Sequence, residues 1–156
     1  MNGRAASVRL ATLADAADIA AMSRDQIERG LPWSWTEERV RHAIESPHIN
    51  VALIREGQTL VAFGIMSYRD EDASLLLFSV RPSHRRKGVG RELLEWLEKV
   101  AREAGLRRVL LECRRDNAAA RNFYAENGYH ELAIAKGYYQ GMEDAVRLEK
   151  WLTHPS

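Results

Sequence analysis

The feature that most constrains the fold is a strand, a glycine turn and a helix that follow one another directly at 73–104. The stretch ASLLLFSV, at 73–80, is a nearly continuous apolar run, which is typical of a strand covered on both faces. The basic turn RPSHRRKGVG follows it, and apolar residues then recur at helical spacing, with a Glu98–Arg102 pair expected on the outer face. A strand and a helix joined in this way predict an α/β layered fold.

The other segments of the chain alternate between strand-like and helix-like patterns. The predicted fold is α/β, with a mixed central sheet of about seven strands flanked by about four helices. No internal repeat, low-complexity tract or proline-rich linker divides the chain, so a single domain at 1–156 is predicted. The predicted strands are about 7–12, 50–56, 59–69, 73–80, 107–113, 129–136 and 143–151, and the helices about 13–29, 36–46, 89–104 and 117–127.

Charge and composition exclude several classes of function. The net charge is +1, from 23 basic and 22 acidic residues, so no general affinity for nucleic acid is expected. No apolar run approaches the roughly 20 residues of a membrane span, and the N-terminus has no apolar signal core. Cys113 is the only cysteine and the histidines have no metal-binding spacing, so neither a disulfide nor a metal site is predicted. The expected compartment is the cytoplasm.

The turn before the helix has the composition of an anion-binding site. Amide N–H groups in the first turn of a helix point outward, and the helix dipole adds positive charge there. Gly88 and Gly90 let the backbone approach a ligand closely, and the basic side chains before them can pair with phosphates. A P-loop is excluded because lysine precedes the glycine and no Ser or Thr follows, and Leu93 excludes a Rossmann fingerprint. The alternative is a solvated basic turn without a ligand.

Two blocks of the sequence resemble the GNAT N-acetyltransferases. RRKGVG, at 85–90, is similar to the family's acetyl-CoA signature, in which Arg or Gln is followed after two residues by Gly-x-Gly or Gly-x-Ala. NAAARNFYAENGY, at 117–129, resembles the family's second conserved block. The resemblance is carried by about 73–130 and implies a GNAT fold, with this segment as the core that binds the cofactor, acetyl-CoA. The acceptor side is then expected at about 25–50 and 131–150.

The resemblance also implies roles for residues at the matching positions. The loop backbone would bind the pyrophosphate of acetyl-CoA, and the backbone of Val80 would contact pantetheine and polarise the thioester carbonyl. Asn117 would contact the cofactor arm. Tyr124 would protonate the departing thiolate, a transfer compatible with pKa values of about 10 for a phenol and about 8.5 for a thiol. The alternative is a tyrosine that only packs on the sheet. The implied loop residues are Arg85, Arg86, Lys87, Gly88, Val89 and Gly90.

Shorter matches resemble the RimI-like branch of the family, which acetylates protein N-terminal α-amines. Glu112 precedes Tyr124 by the same spacing as the general base precedes the acid in that branch, which implies base catalysis by Glu112. The alternative is that Glu112 pairs with Arg114 or another basic neighbour. PWSW and YY match acceptor-side segments, and their aromatic side chains either line an acceptor slot or fill structural gaps. These residues are Trp33, Trp35, Tyr138 and Tyr139.

The leading prediction is an acetyl-CoA-dependent N-acetyltransferase in which a neutral amine, such as a protein N-terminal α-amine, attacks directly. An α-amine has a pKa of about 8 and lysine one of about 10.4, so the α-amine is easier to deprotonate at neutral pH. One alternative is a GNAT enzyme that acetylates a small amine such as a polyamine, an amino acid or an aminoglycoside. Another is a non-catalytic acyl-CoA sensor. A monomer or homodimer is expected, with no nucleic-acid or membrane partner.

Overall fold

The structure is a computed structural model that describes residues 7–135 and 145–153. Its elements follow the order β1-α1-α2-β2-β3-β4-α3-β5-α4-β6-β7. The strands are β1 Arg9–Leu10, β2 Ile49–Glu56, β3 Thr59–Arg69, β4 Asp72–Val80, β5 Arg108–Arg114, β6 His130–Ala135 and β7 Ala145–Trp151. The α-helices are α1 Ala16–Met22, α2 Glu37–Glu45, α3 Val89–Glu103 and α4 Ala118–Glu126.

The seven strands form one mixed sheet in the order β1-β2-β3-β4-β5-β7-β6. Neighbouring strands are antiparallel except β4 and β5, which run parallel and are joined by the crossover helix α3. Gly57, whose φ is 60°, lies in the short turn between β2 and β3, where the sequence predicts a hairpin. The predicted α/β fold class is confirmed.

Helices cover both faces of the sheet and form a separate core on each. On one face, Ile19 of α1 and Val40 of α2 belong to a buried cluster with Phe63 of β3. On the other face, Leu93 and Leu97 of α3 are buried with residues of β2 to β5 and β7. Within the two described ranges, no helix is long and apolar enough to cross a lipid bilayer.

The first predicted helix, 13–29, is divided into three parts. Leu13–Asp15 is a 3-10 turn, α1 follows it, and Ser23–Ile27 is a π-helical turn. The N–H of Glu28 bonds to the carbonyl of Ser23 at 2.8 Å, and the Ser23 hydroxyl donates to the Glu28 carboxylate, also at 2.8 Å. These bonds widen the last turn of the helix, and hydropathy patterning carries no signal for them.

The outer face predicted for α3 is wrong at one position. Glu98 was expected on the surface with Arg102, but it is 3% exposed and accepts hydrogen bonds from the Tyr129 hydroxyl at 2.8 Å and from Lys150 Nζ at 2.9 Å. The period of 3.6 residues brings Glu98 beside Leu94 and Ala101 on the sheet side of the helix, and partners from distant segments compensate its charge there.

Strand β4 contains a bulge, and its pairing with β5 ends at the same place. Leu75 is opposite Met66 of β3 and Leu77 is opposite Ile65, so Leu76 is the extra residue. The β4–β5 ladder runs only from Asp72 and Arg108 to Leu75 and Leu111. Beyond it, β4 continues to Val80 and β5 to Arg114 without pairing to each other. The sheet therefore opens into a gap at the C-terminal ends of these two parallel strands.

Candidate active site

The backbone of Val80 faces this gap. The N–H of Arg81 bonds to the carbonyl of Val61 on β3 at 2.8 Å. Because successive residues of a strand direct their N–H and C=O groups to opposite edges, those of Val80 are directed away from β3. The Val80 carbonyl accepts a hydrogen bond from Arg85 Nε at 3.1 Å, which ties the basic loop to the end of the strand.

The loop between β4 and α3 presents amide groups to the solvent. Arg86 and Gly88 have φ values of 63° and 80°, and such left-handed residues gather successive N–H groups into a concave anion-binding nest. Among the described residues, no acceptor is bonded to the amides of 86–91, whereas the N–H of Glu92 bonds to the Gly88 carbonyl at 3.0 Å. The side chains of 85–87 are exposed. This arrangement fits a phosphate ligand.

Two contacts fix the start of α3 and the base of the loop. A Cβ on Gly90 would lie 3.1 Å from Val80 Cγ2 and 3.2 Å from the Phe123 ring, so glycine permits the close approach of helix, strand and α4. His84 Nε2 lies 2.9 Å from Glu56 Oε1 at the end of β2. The loop is thereby held against the part of the sheet that precedes the gap.

Tyr124 lies in an aromatic cluster beside the same gap. Its ring centroid is 6.4 Å from that of Phe78 on β4, 5.3 Å from Phe123 and 5.6 Å from Tyr129. The residue is 8% exposed, and its burial raises the pKa of the hydroxyl well above the ordinary value. The hydroxyl therefore keeps its proton at neutral pH, as a general acid must.

Asn117 caps a helix and Cys113 packs in a strand, so both have structural roles. Asn117 is the N-cap of α4, and its Oδ1 accepts a hydrogen bond from the Ala120 N–H at 3.0 Å. Cys113 is half-buried on β5, and burial raises the pKa of its thiol, in keeping with a small core side chain. The Asn117 cap fixes the start of the helix that carries Tyr124.

Glu112 points to the other face of the sheet. Val109 and Leu111 are buried with α3, so the residues between and after them, Leu110 and Glu112, face the side of α1 and α2. Glu112 is directly opposite Arg147 of β7, whose Nε donates to Glu112 Oε2 at 2.8 Å. The partner is thus a basic neighbour, but it is on β7 rather than at Arg114 of the same strand.

The two tryptophans of the predicted acceptor loop have different surroundings. Trp35 is 8% exposed within the α1–α2 core, with the Arg39 guanidinium 3.9 Å from its ring centroid. Trp33 is 41% exposed, and Arg24 lies 5.4 Å from its ring centroid. Trp35 therefore fills the space between the helices, while Trp33 is available to a ligand. Tyr138 and Tyr139 lie outside the described residues.

A family model described as the Acetyltransferase (GNAT) family matches residues 19–129, which is more than half of the chain. This chain belongs to the GNAT acetyltransferase family. It is an N-acetyltransferase, and the predicted enzyme class is confirmed.

Two curated relatives of this acetyltransferase are named as N-acetyltransferases, one for an alanine of a ribosomal protein and one for N-alpha acetylation. The "[Ribosomal protein bS18]-alanine N-acetyltransferase" of Escherichia coli strain K12 is 33% identical over 122 residues, which cover 76% of this chain and 82% of the relative. The "N-alpha-acetyltransferase RimI" of Mycobacterium tuberculosis is 30% identical over 110 residues, or 68% of each chain. The predicted likeness to the RimI branch is confirmed.

Solved structures of acetyltransferases share the fold. The ribosomal-protein-S18-alanine N-acetyltransferase from Escherichia coli has a TM-score of 0.79 at 27% identity, covering 97% of this chain and 96% of that one. The PaiA N-acetyltransferase from Thermoplasma acidophilum, solved in complex with coenzyme A, has a TM-score of 0.80 at 18% identity, covering 95% of this chain and 99% of that one. The second likeness concerns the fold alone.

Glu28 organises the loop of this acetyltransferase that carries the tryptophans, and no sequence motif marks it. Glu28 is 7% exposed, and its carboxylate accepts bonds from the Ser34 N–H at 2.6 Å, the Ser34 hydroxyl at 2.8 Å and the Trp35 N–H at 3.2 Å. Burial by itself raises the pKa of Glu28, but these hydrogen bonds lower it more, so the carboxylate stays ionised. The signal available in the sequence was an acidic residue directly before the predicted helix end.

Proposed function

We propose that this enzyme transfers an acetyl group from acetyl-CoA to the α-amine of a peptide or protein N-terminus. The observation that carries the proposal is the convergence of the amide-rich loop, the Val80 backbone and Tyr124 on the gap between β4 and β5. The peptide acceptor is supported by the two relatives at 30% and 33% identity, whose names specify N-alpha acetylation and N-acetylation of a ribosomal-protein alanine. An α-amine is also easier to deprotonate at neutral pH than a lysine side chain, because its pKa is about 8 rather than about 10.4.

Acetyl-CoA is the donor, and the residues present fit its chemical groups. When bound, it supplies a thioester whose carbonyl carbon accepts the amine. The amides of 86–91 and the exposed side chains of Arg85, Arg86 and Lys87 would hold the diphosphate. The Val80 N–H would donate to the carbonyl of the bound acetyl group. The side-chain oxygen of Asn117 caps α4, and its amide nitrogen would donate to the pantetheine arm. Val89 and Gly90 are buried, so these two residues would contribute only backbone groups to the cofactor site.

The proposed acid and base approach the gap from opposite faces of the sheet. Glu112, on the side of α1 and α2, would take the proton that the attacking amine loses. Tyr124, on the side of α3 and α4, would give its proton to the sulfur of the departing thiolate. The raised pKa of Tyr124 keeps that proton in place until the sulfur develops negative charge. The amine thus enters from the face of α1 and α2.

Two exposed apolar side chains are available to a peptide. Leu76, the bulged residue of β4, is 42% exposed, and Trp33 of the α1–α2 loop is 41% exposed. In our proposal these apolar groups contact the first side chains of the acceptor, and 25–50 and 131–150 form its binding side. The segment 73–130 forms the cofactor-binding core within a single domain.

The test is a panel of acceptors assayed by CoA release, with mass spectrometry to locate the acetyl group. It compares alanine-starting peptides, the same peptides with a blocked N-terminus and an internal lysine, and three free amines: spermidine, alanine and kanamycin. We expect turnover of the free N-terminal peptides and acetylation at their α-amine. Turnover of a small amine with none of any peptide would overturn the proposed acceptor, and no turnover at all would indicate the acyl-CoA sensor.

A further inference from the structure

The ion pair between Glu112 and Arg147 has a consequence for the protonation of the acceptor. An unpaired carboxylate beside an amine stabilises the ammonium form, since an opposite charge within a few ångströms favours the charged state. An ammonium ion has no lone pair and cannot attack a thioester. A base placed at the amine therefore opposes its own function unless its negative charge is compensated before the amine arrives.

Arg147 supplies that compensation. Its Nε is 2.8 Å from Glu112 Oε2, and the two residues are directly opposite each other in the β5–β7 ladder, so the pair is built into the register of the sheet. The Glu112 side chain is 27% exposed and that of Arg147 is 52% exposed, which leaves both within reach of a substrate on this face.

The other charged groups on this face are largely occupied by one another. Arg108 of β5 bonds to Asp72 of β4 at 3.1 Å and to Glu149 of β7 at 2.7 Å. Arg114 follows Glu112 by two residues on β5 and adds positive charge at the end of the strand. The β6 residues opposite Arg147 and Ala145 are Ala133 and Ala135, which carry no charge. Of the charged groups in 7–135 and 145–153, Arg147 is the one that is bonded to Glu112.

We propose that Arg147 is a positioning residue that neutralises Glu112, so that the acceptor amine is bound uncharged rather than as an ammonium ion paired with the base. Arg147 acts through Glu112 and need not touch the reacting atoms. The inference rests on the proposed role of Glu112, and it applies to any amine acceptor, whether a peptide or a small molecule.

The experiment measures kcat and acceptor KM from pH 6 to 9.5 for wild type, Arg147→Gln and Arg147→Lys. In Arg147→Gln, the unpaired carboxylate should hold the amine as ammonium. We expect the acceptor KM to fall, kcat at pH 7 to fall about tenfold, and the rising limb of the kcat profile to move up by about one pH unit. Arg147→Lys retains the charge and should keep the wild-type position of that limb.

Two controls separate this effect from a structural one. Arg107→Gln removes an arginine that is paired with Glu71 at 3.6 Å, directly before β5 and at the opposite end of that strand from the gap, and it should change neither the acceptor KM nor the position of the rising limb. In an enzyme that already carries Glu112→Gln, adding Arg147→Gln should leave the rising limb where it is, because no carboxylate remains to be neutralised.

The outcomes distinguish the inference from the proposed function. If peptides fail but a small amine is acetylated, the proposed acceptor is wrong and the same profiles on that amine still test Arg147. An unchanged rising limb and unchanged acceptor KM in Arg147→Gln would overturn the inference alone. A wild type that acetylates no amine would overturn both.

Discussion

At the scale of single residues, Tyr124 combines burial with a hydroxyl that has no hydrogen-bond partner among the described residues. Aromatic rings surround it at centroid distances of 5.3 to 6.4 Å, and packing therefore fixes the ring without using the oxygen. No acceptor among the described residues competes for its proton. The proton is left for the group that arrives in the gap.

Tyr124→Phe preserves this packing and removes only the proton. We expect kcat to fall about 10²- to 10⁴-fold, with the Kd for acetyl-CoA unchanged, as measured by steady-state kinetics and calorimetry. Because burial raises the pKa of Tyr124, its ionisation should cause no loss of wild-type activity up to about pH 10. A descending limb below that pH that disappears in the phenylalanine variant would contradict this assignment.

The sequence offered more information about the proposed site residues than about their partners. Tyr124 and the loop residues lie in contiguous motifs, so local spacing was sufficient to propose them. The partner of Glu112 could not be found in this way, because Arg147 is 35 residues away and meets Glu112 only once β7 is inserted between β5 and β6. Glu98 was misassigned for the same reason, since its partners Tyr129 and Lys150 come from later elements.

At the scale of elements, the two ends of α3 offer a matched pair of glycines. Gly88 precedes the helix with a φ of 80°, and Gly105 follows it with a φ of 88°; an added Cβ would meet no atom within 4 Å at either position. Alanine at either site should cost about 1 kcal/mol of stability, because a left-handed φ strains any residue with a Cβ. Only one of the two ends belongs to the proposed phosphate site.

We therefore expect Gly88→Ala to weaken acetyl-CoA binding about tenfold, since relief of the strain redirects the loop amides. Gly105→Ala should leave that affinity unchanged. Urea unfolding checks the matched stability loss, and isothermal titration calorimetry at fixed salt checks the binding. Equal affinities for the two variants would show that the conformation of Gly88 is not needed for the cofactor.

A second arrangement at this scale joins β1, α1 and β2 through Asp15. Its carboxylate, 4% exposed, accepts bonds from Arg9 at 3.0 Å, the Thr12 N–H at 2.8 Å and Arg55 at 3.0 Å. Burial alone raises the pKa of Asp15, but these bonds together lower it far below its usual range. A lowered folded-state pKa stabilises the protein above the unfolded pKa of about 4, and that stabilisation is lost as the pH falls further.

Asp15→Asn should thus cost about 3 kcal/mol at pH 7 and at pH 5, and progressively less below about pH 4. Asp18→Asn is the control, because Asp18 bonds to the same Arg55 at 2.8 Å but its side chain is 58% exposed, and it should cost less than about 1 kcal/mol. Urea unfolding of the three proteins across this pH range measures both values. A cost that does not change between pH 7 and pH 3 would contradict the lowered pKa.

At the scale of the whole molecule, hydropathy patterning located the strands and helices because each has a continuous apolar face. It did not indicate that the sheet separates, because ASLLLFSV reads as one uninterrupted strand. The bulge at Leu76 depends on how β4 pairs with β3 and β5, and pairing is not encoded within the strand itself. The glycine loop predicted a phosphate site, whereas the opening beside it is apparent only from the assembled sheet.

The β1–β4 and β5–β7 parts of the sheet are paired over a short ladder, so a ligand in the gap should stabilise the whole protein. At 100 times its Kd, acetyl-CoA should add about 2.7 kcal/mol, or roughly 5–10 °C in Tm for a chain of this size. Differential scanning fluorimetry measures the shift, with adenosine as a control that lacks the pantetheine arm. Hydrogen exchange should slow at 76–80, and slowing confined to the loop would argue against binding in the gap.

The bulged residue Leu76 also determines which kind of mutagenesis can detect the site. Its side chain is 42% exposed, so Leu76→Ala or Leu76→Ser should fold normally, and a substitution scan that measures stability would score the position as tolerant. Deletion of Leu76 should have a different effect from its substitution. Leu75 and Leu77 already pair with consecutive residues of β3, so the shortened strand would close into a regular ladder with its residues on the same faces. It could then continue alongside β5, leaving a protein that is well folded but has no opening to hold a cofactor.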